Sequence, residues 1–86
     1  MKKTKMFYLE SCPHCRRAFK MLEELQAKNP KYSDVEIELI EESKNVHIAE
    51  AHDYYLVPTF FVDGVKIHEG IPTMDKIEEV LKKATI

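Results

Sequence analysis

"YLESCPHCRRAF", residues Tyr8–Phe19, decides how the rest of the chain is read. It holds the only two cysteines among 86 residues, Cys12 and Cys15, with a Pro-His pair between them. Just upstream, Lys5–Leu9 ("KMFYL") is short, apolar and aromatic, which predicts a buried strand. Downstream the period changes. Ala18, Phe19, Met21, Leu22 and Leu25 fall at helical spacing, while Arg16, Arg17, Lys20, Glu23 and Glu24 fill the other faces. The spacing predicts a helix from about Pro13 to Lys28. Pro13 is tolerated in its first turn, where a missing N–H costs nothing, and Pro30 biases Asn29 away from helix. Cys12 therefore falls at a strand-to-helix junction.

Further along, "DVEIELI" alternates, with Val35, Ile37 and Leu39 on one side and Glu36 and Glu38 on the other. That pattern predicts a strand with one wet face or a place near a sheet edge. "ESKNVHIAEAHDYY" reads as a second helix starting near Ser43 as N-cap, carrying Val46, Ala49 and Tyr54 inward. "TFFV" and "VKIHE" are β-rich runs joined by Asp63-Gly64, a preferred two-residue hairpin turn. In "PTMDKIEEVLKKA" every end signal agrees on a helix: Thr73 as N-cap, Asp75 in the first turn, and Lys82-Lys83 in the last. Its apolar stripe is Ile77, Val80 and Leu81. The order is β-α-β-α-β-β-α. The first βαβ unit predicts parallel strands with a right-handed crossover, and the hairpin extends the sheet antiparallel. The fold class is α/β: a four-stranded mixed sheet with helices on both faces.

Length and composition predict one domain, 1–86, with a core small enough to be only marginally stable. The apolar fraction of 44% is that of a globular protein. A formal charge of -2 with interspersed signs gives no electrostatic reason for nucleic acid or an anionic membrane as partner. "MKKTK" is basic, but the next stretch, "MFYLES", is too short and too soon polar for a signal peptide, and no apolar run approaches the ~20 residues of a membrane span. These features point to the cytoplasm and, by default, to a monomer. Two cysteines three apart cannot make a structural disulfide framework, so the pair reads as redox or metal chemistry.

At the N-cap, Cys12 would lie beside backbone N–H groups that have no helical partner. Those donors and the positive end of the helix dipole favour the thiolate, the species that attacks disulfides. Cys15, one turn on and deeper, suits the resolving role, and His14 could add a hydrogen bond or a positive field. A drop in the Cys12 pKa from roughly 8.5 to about 7 would stabilise the reduced form at pH 7 by only ~0.4 kcal/mol, whereas a drop to about 5 would give ~2.7 kcal/mol. The competing reading is a metal module. CxxC can be half a zinc site, and His14, His47, His52 and His68 could complete one. They are scattered, however, and His47 and His52, at i,i+5, do not share a helix face. Arg16 and Arg17 read as a wet helix face that makes the rim of the site positive.

"CPHC" after the first strand, "VPTFFVDG" opening the hairpin, and the element order together resemble the thioredoxin-like superfamily, within it the small glutaredoxin-type members. The resemblance covers nearly the whole chain. It implies a thiol–disulfide oxidoreductase that reduces protein or glutathione mixed disulfides, with Cys12 as nucleophile, Cys15 as resolving thiol, and Pro13 and His14 between them. Pro58 resembles the cis-proline that faces the cysteine pair, Val57 the residue whose backbone pairs with an extended substrate, and Thr59 the start of the next strand. No metal or organic prosthetic group is implied. Electrons would come from glutathione, as co-substrate, or from a thioredoxin-reductase-type flavoprotein. The alternative within the resemblance is a glutathione-ligated iron–sulfur or zinc binding module using the same cysteines. The chain also departs from the pattern. The Gly-Gly-acid of classical glutaredoxins is replaced by "HEGIPTMDK", and thioredoxin's WCGPC and buried strand Asp are absent.

Overall fold

Met6 and Phe7, adjacent in sequence, are both fully buried, because the strand that carries them is covered on both faces. This strand, β1 (Thr4–Tyr8), is central in a four-stranded sheet of order β2-β1-β3-β4. The computed structural model describes residues 2–85. β2 (Ile37–Glu41) pairs parallel to β1, from Thr4↔Ile37 to Tyr8↔Glu41. β3 (Thr59–Val62) pairs antiparallel on the other side, from Thr4↔Val62 to Phe7↔Thr59, and β4 (Val65–Glu69) completes the hairpin.

Helix α1 (Pro13–Lys28) has the predicted bounds, with Ala18, Leu22 and Leu25 buried. Asn29 has φ -124° and ψ 111°, the extended conformation that Pro30 imposes on its predecessor. Pro30–Ser33 then forms a one-turn helix, α2, which the sequence pattern did not predict; the Asn29 side chain caps it by accepting from the Lys31 N–H. α4 (Met74–Thr85) begins as expected, with Thr73 Oγ1 accepting from the Lys76 N–H at 3.2 Å. One core joins α1 and α4 to Met6, Phe60 and Val62 on one sheet face. On the other face Phe7, Ile40 and Phe61 pack with Ala49, Tyr54 and Val57. Helices thus lie on both faces of a mixed sheet, the architecture of the thioredoxin-like fold.

Two local expectations are corrected. β2 alternates, but its burial does not follow the alternation: Leu39 is 51% exposed while Ile40 and Glu41 are buried. β2 is an edge strand, so Leu39 escapes the cover of α1, and Ile40 turns under the segment carrying Ala49 and Tyr54. The second helix is shorter than expected. Ser43 is not its cap; it lies in a 3-10 turn, Glu42–Lys44, and the helix α3 is only Val46–Glu50. Val46 is exposed, whereas Ala49 and Tyr54 point inward as expected. The hairpin turn is as read: Asp63 (φ 49°) and Gly64 (φ 80°) are both left-handed, which matches the twist of the flanking strands.

Candidate active site

Cys12 is the N-cap of α1, with φ -86° and ψ 119°, and its N–H donates to the Leu9 carbonyl at 3.1 Å. β1 thus hands the chain to α1 through one short turn, and Cys12 is left half-buried at the helix mouth. Both cysteines are free thiols, and Cys15 is almost completely buried.

Their surroundings drive their acidities apart. Burial opposes ionisation of Cys12, but the N–H and thiol of Cys15, the N–H of His14 and the charge of Arg16 outweigh it and lower the pKa from 9.0. The sulfur makes no formal capping hydrogen bond, so these donors act as a cluster of nearby dipoles. Cys15 is pushed up to about 11, first by burial. The Cys12 sulfur and the Glu42 carboxylate add to that rise, against the Leu9 N–H, which lowers it. Each sulfur enters the other's balance, so the proton between them rests on Cys15 and the negative charge on Cys12. His14 contributes through its backbone N–H. Its ring Nδ1 accepts from Arg17 Nη2.

The loop carrying Cys12 is braced from β2. The buried Glu41 carboxylate accepts from the Glu10 N–H at 3.1 Å and from the Ser43 N–H and hydroxyl at 2.7 and 2.6 Å. The Ser43 hydroxyl, then the Glu10 N–H, hold its pKa below the usual carboxylate range. In the sequence, Glu41-Glu42 looks like solvated charge. The only signal of its role is position, an acid at the end of a strand parallel to the one that delivers the cysteines.

Val57-Pro58 is the cis peptide bond among the described residues. The antiparallel register ends at Phe7↔Thr59, so Pro58 and Val57 continue at the sheet end where β1 delivers Leu9 and Cys12. The backbone on either side of Val57 is engaged. Glu69 Oε2 accepts from the Tyr55 and Leu56 N–H groups, Thr59 Oγ1 donates to the Leu56 carbonyl, and Gly70 N–H donates to the Pro58 carbonyl. At Val57, by contrast, neither the N–H nor the C=O has a hydrogen-bond partner among the described residues. Thr59 is fully buried, in keeping with a structural role. Tyr55, Leu56 and Ile71 stand out around this segment as exposed apolar side chains.

Among the described residues, no three His, Cys, Asp or Glu side chains are grouped to hold a metal ion. His52 packs between Phe7 and Phe61, and His68 is buried with its Nε2 on the Gly70 carbonyl. A cavity of about 570 Å³ lies on the α3 side between Leu9, Val46, His52 and Tyr54, and neither cysteine lines it. No helix among the described residues is long and apolar enough to cross a membrane.

A free dithiol of split acidity at a helix start, on a thioredoxin-like sheet, defines the class of thiol–disulfide oxidoreductases. The chain belongs to the thioredoxin domain family, which matches residues 2–82. A thioredoxin of Methanocaldococcus jannaschii is 32% identical over 81 residues, covering 94% of this chain and 93% of that protein.

Proposed function

We propose that residues 1–86 act as one domain that reduces protein or glutathione mixed disulfides through the Cys12–Cys15 dithiol. The observation that carries this reading is the opposed acidity of the two sulfurs, one lowered from 9.0 and the other raised to about 11. The Cys12 thiolate attacks a substrate disulfide, forms a mixed disulfide and expels the first substrate thiolate, which takes a proton from solvent. Cys15 then loses its proton and attacks the Cys12 sulfur. The second substrate thiolate leaves, and the protein holds a Cys12–Cys15 disulfide. The substrate has gained an electron pair and the protein has lost one. Glutathione or a thioredoxin-reductase-type flavoprotein restores the dithiol, with no metal or organic prosthetic group in the cycle.

The free N–H and C=O of Val57 suit an extended polypeptide laid alongside in antiparallel pairing, with Pro58 and Thr59 fixing that edge. The exposed side chains of Tyr55, Leu56 and Ile71 favour polypeptide substrates over glutathione alone. Glu69 and His68, at the place where classical glutaredoxins hold glutathione, are already committed to the chain's own backbone. The cytoplasm, as a reducing compartment, suits a monomer working in this direction.

The test is a thiol count. Reduced protein mixed with a disulfide-linked peptide pair should lose both thiols for each substrate disulfide reduced. Recycling by glutathione, compared with recycling by a flavoprotein reductase, then identifies the donor. Peptide reduction without loss of protein thiols would refute the cycle.

A further inference from the structure

Residues 53–57 form no helix or strand, yet they end in Val57, the residue at which substrate is proposed to dock. Such a segment would ordinarily sample many conformers, and docking would then carry the cost of ordering it. Here the edge strand β4 supplies the order through one side chain. Glu69 pairs with Thr59 in the hairpin register, which places it level with the end of β3 and beside the segment. Its Oε2 accepts from two successive N–H groups, Tyr55 at 2.5 Å and Leu56 at 2.9 Å. Its Oε1 accepts from Lys66 Nζ at 2.7 Å, and Lys66 also donates to the Asp53 carbonyl at 3.2 Å. A carboxylate shared among three donors makes charge-assisted bonds, stronger than neutral ones. The contact is specific to Tyr55 and Leu56, the two residues immediately before Val57.

We propose that Glu69 is the positioning residue of the docking segment, its carboxylate holding the Tyr55–Leu56 backbone so that Val57 is presented to an extended disulfide substrate. This rests on the reading of Val57 as the docking residue. Glu69 itself touches neither cysteine in this arrangement, so its effect is on substrate docking and not on the chemistry of the sulfurs. The anchoring is one-sided: once Glu69 is removed, nothing else among the described residues accepts those two N–H groups.

The experiment compares wild type, Glu69→Ala and Glu69→Gln on a disulfide-linked peptide pair and on hydroxyethyl disulfide, which has no backbone to pair. Glu69→Ala should raise KM for the peptide on the order of tenfold, leaving kcat, the hydroxyethyl disulfide rate and the alkylation rate of Cys12 unchanged. Glu69→Gln should restore most of the peptide KM, because its carbonyl oxygen can accept both N–H groups. An unchanged peptide KM in Glu69→Ala, or an equal loss on both substrates, would overturn the proposal. If Glu69→Ala does not fold, hydrogen exchange on the wild type decides: Tyr55 and Leu56 amides should be protected, and exchange at the rate of free amides would overturn it. Wild type inactive on both disulfides would instead overturn the oxidoreductase reading, and the docking role with it.

Discussion

Cys12 and Cys15 are the same amino acid one helical turn apart, and the fold sets their acidities in opposite directions. At neutral pH, reduced protein should therefore be alkylated by iodoacetamide at Cys12 alone, faster than a free cysteine, with Cys15 silent until the pH approaches 11. Peptide mapping after limited alkylation checks this, and equal labelling of both would contradict it. The linkage to stability has opposite signs at the two sites. The Cys12 contribution is present above 9.0, the value of an unperturbed thiol, and is lost as the pH falls through its lowered folded value. Cys15 keeps its proton in the fold up to about 11, so reduced protein loses stability as the pH rises from 9.0 through 11. Glu69 is lowered to about 2 from 4.5, first by Lys66 and then by the Tyr55 and Leu56 N–H groups. Its contribution is thus present above pH 4.5 and is lost as the pH falls toward 2. Acid denaturation of Glu69→Gln should lack that part of the pH dependence. The cysteines and their roles could be read from CPHC, because reactivity there follows from a local junction. Glu41 and Glu69 could not, because each acts on backbone at least 13 residues away in sequence and resembles any surface acid in a one-dimensional pattern.

Elements with strong local chemistry were legible, and those shaped by their neighbours were not. The turn at Asp63-Gly64 needs positive φ at both positions, so Gly64→Ala should cost about 1 kcal/mol from backbone strain alone. A Cβ at Gly64 would meet nothing within 4 Å, which removes packing as a competing cause. Thr73→Ala removes the cap of α4 and should likewise cost about 1 kcal/mol, a fall in melting temperature of about 4–8 °C for a domain of this size. Thermal denaturation followed by circular dichroism measures both. A loss under about 0.2 kcal/mol at either site would contradict the local account. The errors fell on β2 and α3. Period-2 alternation tells which side of a strand a residue faces, but the cover over that side comes from elements elsewhere in the chain, and Leu39 lies beyond it. The five-residue α3 depends on Ala49 packing at the sheet with Tyr54, and no internal periodicity of so short a segment could announce it.

Across the whole molecule, two cores meet at β1 and β3, and the redox junction sits at one end of those strands. Phe60 is fully buried on the larger core, and Phe60→Ala should cost about 3–5 kcal/mol, a large share of the ~5–15 kcal/mol available to a small domain. Urea denaturation gives the loss directly, and a midpoint within error of wild type would contradict the placement of that core. The βαβ order and the hairpin made the global topology readable, since the right-handed crossover and the turn leave few ways to assemble four strands. The lowered pKa of Cys12 needs only the first turn of α1, whereas the raised pKa of Cys15 depends on that assembly, because burial is its first cause. The most direct test of the central claim is intact-mass spectrometry of Cys15→Ser and Cys12→Ser, each mixed in reduced form with a disulfide-linked peptide pair. Cys15→Ser should accumulate a peptide adduct on Cys12, and Cys12→Ser should form no adduct and show no turnover; peptide reduction that persists in Cys12→Ser would contradict the account.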